Sequence, residues 1–255
     1  MPEFFGEKLV ESDVDPDPER RGRIKSFESD PNILIKSFPA KDLVRDNGAI
    51  AYFEGVQSPF EAAMLAIELY EELKAAYGIP AIPGAFILKK DAAGKELLYT
   101  QTERMEGQTL AAVAEEGFRD SGFLEELRRL YASIARYLID KYKKKEHFLS
   151  DVVHPDQYLY GPAAPGSKER HIRLIDIDPR FVTKSDVAAF ISFGLLAQTA
   201  GNWEEKHPGL AFDEARDALR SFVSQLSPKE RRIFSNSIEK IERFVNGRPA
   251  AEPAA

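Results

Sequence analysis

The chain has 255 residues, 43% hydrophobic and 30% charged, an ordinary balance for one large domain or two small lobes that excludes a disordered or collagen-like polymer. With 35 Lys and Arg against 42 Asp and Glu, its net charge of -7 repels phosphate backbones, so nucleic acid is not an expected partner. The absence of cysteine excludes disulfide scaffolds, thiolate zinc sites, iron–sulfur clusters and a cysteine nucleophile.

Up to about residue 100, short apolar runs separated by polar turns predict five strands: FFGEKLV at 4–10, RIKSF at 23–27, ILIKSF at 33–38, AFILKK at 85–90 and ELLYTQTE at 96–103. VESDVDPDPERRG at 10–22, acidic then basic with two prolines, predicts a solvated loop. One helix interrupts the strands, with Ser58 as N-cap, Pro59 at the first helical position, Glu61 three residues after the cap, and Gly78 as the stop. Beyond Gly107 the pattern turns helical, first in TLAAVAEE and then near 121–145. There Phe123, Leu127, Leu130, Tyr131, Ile134 and Leu138 recur at three- and four-residue steps and predict one apolar stripe. Two strands are expected at 157–161 and 171–178 around a Pro/Gly-rich hairpin loop. Helices then run to Val245, the last opened by Ser227-Pro228 and faced by Ile233, Phe234, Ile241 and Phe244. Sheet and helices segregate along the chain, which predicts an α+β fold in two lobes.

Carboxylates near the second strand pair stand out. Alternation in Leu174-Ile175-Asp176-Ile177-Asp178 places Asp176 and Asp178 on the face opposite the isoleucines, in an apolar setting where a carboxylate needs a positive partner. A divalent cation bound together with nucleotide phosphates suits this segment and FLSDVVHPDQYLYG at 148–161. A turn cap before Pro179, or an ion pair with Arg173 or Arg180, is the structural alternative.

The order of these features resembles the protein-kinase-like superfamily, in its divergent, atypical or small-molecule kinase branches. Ile33-Leu34-Ile35-Lys36 resembles the lysine strand, and the helix from Ser58 resembles the one carrying that lysine's glutamate partner. Tyr99 to Leu110, with Thr102, Glu103 and Met105, looks like the interlobe hinge that binds adenine. Asp151 resembles the catalytic aspartate, and the Asp176 segment resembles the metal-binding motif. The resemblance implies a bilobal kinase-like fold using ATP and Mg²⁺. Lys36 would hold the α/β-phosphates, Asp151 would orient an acceptor hydroxyl, Asp176 would bind the metal, and Thr102 would lie near the back of the adenine pocket. Either Glu61 or Glu68, seven residues apart on one helix face, is the candidate partner of Lys36.

Three features depart from the family pattern. Between Phe4 and Phe27 the only glycines are Gly6 and Gly22, so no Gly-rich phosphate loop is present. Asp151 stands six residues before Gln157, where the family's aspartate-to-asparagine spacing is five, so either Asp156 or Gln157 takes the second metal position. No A-P-E follows Phe181. Other motifs give nothing: Gly161 to Lys168 transposes the lysine of a phosphate-binding loop and precedes a strand, and His147, His154, His171 and His207 lack metal-ligand spacing and read as surface or loop residues. The run at 141–145 reads as a cationic last helical turn.

The sequence therefore predicts an N-terminal lobe at 1–102 with its helix at 58–77, a hinge at 103–107, a helical lobe at 108–246 with a catalytic hairpin at 151–181, and a frayed tail at 247–255. The implied activity is phosphoryl transfer from ATP-Mg to a hydroxyl of a small molecule or protein. The alternative is a pseudokinase that binds a nucleotide or partner without transfer. No stretch approaches the roughly 18 apolar residues of a membrane span, and MPEFFGEKLVES lacks a basic segment followed by an apolar one. A cytoplasmic protein without a membrane partner is expected, and oligomeric state is left open.

Overall fold

A computed structural model describes residues 3–4, 7–11, 24–39, 59–81, 84–90, 94, 96–116, 120–163, 166–175 and 181–247. The predicted cap Ser58, most of the loop at 10–22, Asp176, Asp178 and the tail from 248 lie outside them. The described residues form an α+β fold, an N-terminal antiparallel sheet followed by a mainly helical C-terminal part.

Six strands make the first sheet: β1 (Glu3–Phe4), β2 (Glu7–Glu11), β3 (Ile24–Phe27), β4 (Ile33–Pro39), β5 (Gly84–Lys90) and β6 (Glu96–Glu103), in the order β1-β2-β3-β4-β6-β5. The single strand expected at 4–10 is in fact two, because Glu3 pairs with Lys8 and Phe4 with Glu7 as the chain folds back on itself. The remaining strand expectations in this half hold to within a residue or two.

Register decides which side chains share a sheet face, since directly opposed residues of antiparallel strands point the same way. Leu34 opposes Thr102, Lys36 opposes Thr100, and Phe38 opposes Leu98, so Lys36 and Thr102 lie on one face with Leu98. Leu98 is fully buried in the main core, whereas Ile35, on the other face, packs with Leu9 in a small second cluster. The face of Lys36 is thus the one turned toward the helical part.

Helix α1 (Pro59–Tyr77) packs Ala66, Leu69, Tyr70 and Leu73 into the same main core. Its exposed face carries Glu61, Met64, Glu68 and Glu71, the positions that three- and four-residue steps bring together. After β7 (Gln108–Thr109) come α2 (Leu110–Glu116) and α3 (Ser121–Lys144), whose first turn is capped by Asp120 accepting from Phe123 N at 2.9 Å. All six expected stripe residues of α3 are buried, but burial widens from Leu130 onward to include Tyr137, Ile139, Lys141 and Tyr142. One stripe was too narrow an expectation because α3 is central, packed by α1, by β10 (Arg170–Leu174) and by two later helices, α4 (Asp186–Lys206) and α5 (Asp213–Ser224).

The chain closes with α6 (Pro228–Ile233) and α7 (Ser235–Asn246). Ser227 and Glu230 form a reciprocal capping box, as the Ser-Pro start implied. The expected single C-terminal helix breaks at Phe234, whose ring stacks on Phe190 at 3.9 Å. With that break, Ile241 and Phe244 are buried while Ile233 is 54% exposed, against the expectation that it faces the core.

Candidate functional site

Asp151 lies in a 3-10 turn, Ser150–Val153, and is buried with 4% exposure. Short antiparallel pairing of β8 (Phe148–Leu149) with β11 (Val182–Thr183) closes the segment between them, matching Leu149 with Val182 and Phe148 with Thr183. Four further hydrogen bonds fix the turn. Leu149 N donates to Tyr137 Oη at 2.7 Å, Tyr158 Oη donates to Val152 O at 2.7 Å, Ser192 Oγ donates to Ser150 O at 3.2 Å, and Ser150 Oγ donates to Phe181 O at 3.0 Å. Such side-chain bonds leave the turn's buried backbone satisfied without a regular ladder. Burial pushes the phenols of Tyr137 and Tyr158 well above the usual tyrosine range, and the Asp151 charge pushes the same way, so both keep their protons.

A second 3-10 turn, Pro155–Gln157, absorbs the extra residue between Asp151 and Gln157. It turns Asp156 outward, exposed, and Gln157 inward. The Gln157 Oε1 atom is buried and accepts no hydrogen bond among the described residues. Leaving such an acceptor unsatisfied costs about 1–3 kcal/mol, so a buried amide oxygen marks a place where another group completes the structure.

Gln157 leads into β9 (Tyr158–Pro162), which pairs with β10 in register from Tyr158↔Leu174 to Pro162↔Arg170. The return strand brings Ile175 N to Gln157 O at 2.9 Å. Asp176 follows Ile175 in sequence but is itself outside the described residues, so its side chain is not placed. On the other side Leu174 N donates to Pro80 O at 2.7 Å, and Ala81 bridges to Leu174, which ties the segment after α1 to the same hairpin. The 171–178 strand expectation thus holds as far as Leu174.

The connection from sheet to helices runs through Arg104, Met105 and Glu106, which belong to no helix or strand. Glu103 is exposed and Met105 half-buried. The connection lies against β9 at a backbone contact only glycine permits. A Cβ on Gly161 would sit 1.8 Å from Glu106 O, and one on Gly107, whose φ is +151°, would sit 2.6 Å from Tyr160 O. The glycine that nearly completes a phosphate-loop motif therefore serves close packing.

The structure thus puts Asp151 and Gln157 on consecutive turns and hydrogen-bonds Ile175, next to Asp176, to Gln157. Lys36 and Thr102 share the sheet face turned toward the helical part, and Glu61 and Glu68 share an exposed face of α1. Among the described residues no three His, Cys, Asp or Glu side chains cluster as metal ligands. Of the histidines, His207 departs from expectation, being buried and stacked on Trp203 at 5.3 Å. Tyr137, Tyr158 and Ser192 were missed by sequence reasoning. Nothing in their spacing distinguishes them from ordinary core residues, and only the fold brings them to the Asp151 turn.

No helix among the described residues is long and apolar enough to cross a membrane. No protein-family profile matches the chain, and no curated protein matches it. Among solved structures, the chain is similar to WaaP in complex with acyl carrier protein, at 14% identity and TM-score 0.45, covering 96% of this chain and 86% of that one. It is also similar to the bifunctional kinase-methyltransferase WbdD, at 14% identity and TM-score 0.36, covering 88% of this chain and 47% of WbdD, so it spans about half of that protein's length.

Proposed function

We propose that the protein is a kinase-like phosphotransferase that binds ATP and Mg²⁺ between its sheet and its helical part and passes the γ-phosphoryl group to a hydroxyl. The observation that carries this reading is the buried, unsatisfied Oε1 of Gln157, one turn beyond the buried Asp151. A hard oxygen donor with no hydrogen-bond partner among the described residues suits a hard cation, and Asp176 next to Ile175 is the natural charged companion. Asp156, exposed, is the poorer candidate for the second metal position.

When bound, Mg²⁺ would be held by Gln157 and Asp176 and would neutralise charge on the phosphates. The chain's own residues supply positioning. Asp151, fixed by the hydrogen bonds around its turn, is suited to orient the acceptor hydroxyl and take its proton. Lys36, on the inward face of the sheet, would bring positive charge to the phosphates, and Thr102, on the same face, and the half-buried Met105 would lie beside the adenine.

The test is thermal melting with ATP, with and without Mg²⁺. Ligand at about 100 times its dissociation constant stabilises the native state by about 2.7 kcal/mol, a rise of roughly 5–11 °C for a chain of this size. The expected result is a rise that needs Mg²⁺ and is lost in Asp176→Ala. Stabilisation without transfer would support the pseudokinase reading, and no stabilisation at millimolar nucleotide would overturn the phosphotransferase reading and leave only a nucleotide-free interaction module.

A further inference from the structure

Lys141 belongs to a run of basic residues ending α3, yet it is not part of a solvated patch. Lys143, Lys144 and Lys145 are exposed, and Lys145 pairs with Asp186 at 2.8 Å. The Lys141 side chain is 5% exposed, with Nζ 2.5 Å from Glu72 of α1 and 3.0 Å from Glu146. A lysine this deeply buried is held by its partners, and here one cation separates two carboxylates from different parts of the fold.

The contacts continue in both directions. One turn earlier on α3, Tyr137 meets the Tyr77 ring of α1 edge-on at 5.1 Å, and Tyr77 Oη donates to Asp140 at 3.3 Å. The C-terminal end of α1 is therefore fastened to α3 by an ion pair, a ring contact and a hydrogen bond. The same Tyr137 hydroxyl accepts from Leu149 N at 2.7 Å, two residues before Asp151. The Glu72–Lys141 ion pair, the Tyr77–Tyr137 ring contact and the Leu149–Tyr137 hydrogen bond, joined through α1 and α3, lead from the helix junction to the Asp151 turn.

We propose that Lys141 is a positioning residue that clamps α1 to α3 and, through Tyr137, sets where the Asp151 turn stands relative to α1 and the sheet. This rests on the reading of Asp151 as the group that orients the acceptor. Without the lysine charge, Glu72 and Glu146 repel across the junction, the end of α1 lifts from α3, and Tyr137 loses its fixed place. The effect reaches the site as a displaced turn, and a misplacement of about 1 Å costs up to about 100-fold in rate.

The test compares Lys141→Met, which keeps the side-chain volume, with Lys141→Arg and with Lys145→Met as a surface control. Two readouts are needed: steady-state hydrolysis of MgATP, with water as acceptor, and amide exchange by segment. The expected result for Lys141→Met is a fall in kcat of about 10-fold or more with the KM for ATP within about threefold. Lys141→Arg restores most of the rate and Lys145→Met matches the parent. Amide exchange accelerates at 149–153 while 213–246 stays unchanged. An unchanged kcat, with exchange altered only around 72–77 and 141–146, would overturn the proposal, as would uniform acceleration through 213–246, which marks general destabilisation. If the parent protein hydrolyses no ATP, water does not replace the acceptor hydroxyl, and the exchange pattern decides the clamp alone.

Discussion

Gly161→Ala tests whether backbone contact holds the connecting segment against β9. The new Cβ would lie 1.8 Å from Glu106 O and 3.1 Å from Gly107 Cα, both backbone atoms that no side-chain rotation moves away. Reaching ordinary contact at 3.4 Å separates the two segments by about 1.6 Å, enough to strain the adjoining β7·β9 pairing of Gln108 with Tyr160 and Thr109 with Leu159. Overpacking of this severity costs about 3 kcal/mol, which lowers Tm by about 6–12 °C for a chain of this length. Gly201→Ala is the internal contrast. It lies within α4 with nothing within 4 Å of the added Cβ, so it should stabilise by about 0.5–1 kcal/mol. Differential scanning calorimetry of both variants is the assay. A Gly161→Ala protein that melts within about 1 °C of the parent would refute the close approach and with it the fixed placement of the connecting segment.

Three other outcomes are expected. Tyr137→Phe strands the buried Leu149 N–H and should lower stability by about 1–3 kcal/mol in urea titration, whereas loss below about 0.5 kcal/mol would mean that the bond is dispensable. Arg216 reaches Glu204 with one guanidinium nitrogen 2.6 Å from each carboxylate oxygen and also donates to Phe244 O, with both charged side chains mostly buried. Arg216→Met should cost about 2–3 kcal/mol by denaturant unfolding, and a neutral result would show the pair to be ornamental. Hydrogen bonds from Ser227 and Tyr142 hold the Glu230 carboxyl down at about 2. A carboxyl depressed in the folded state stabilises above its unfolded pKa and loses that contribution as pH falls from about 4.5 toward 2. Melting temperature should drop over that window in the parent, and less steeply in Glu230→Gln. Identical slopes would remove Glu230 from the account.

The strands at 24–39 and 84–103, α1 and α3 were legible because each carries a strong local period and a signalled end, such as Pro59 near the start of α1 and Gly78 just past its end. Features set by long-range packing were not. The fold-back of Glu3–Phe4 on Glu7–Lys8, the break at Phe234 and the all-round burial of α3 depend on partners distant in sequence. In the candidate site the chemistry-bearing types Lys36, Asp151 and Gln157 were visible, whereas the two consecutive 3-10 turns that expose Asp156 and bury the Gln157 Oε1 were not. The groups that hold Asp151 in place, Tyr137, Tyr158 and Ser192, look like core residues until folding brings their hydroxyls to one turn. Lys141 was hidden for the opposite reason, since four neighbouring basic or aromatic residues made it look like a charged helix end.

The central claim is that Gln157 and Asp176 bind a metal–nucleotide complex beside Asp151. Isothermal titration of the full chain with ATP, in Mg²⁺ and again in EDTA, tests it most directly when repeated on Gln157→Ala. The expected result is Mg²⁺-dependent binding in the parent, weakened about 10-fold or more in the variant without a fall in the melting temperature of the ligand-free protein. Binding of equal strength with and without Mg²⁺, or a Gln157→Ala protein indistinguishable from the parent, would contradict the account.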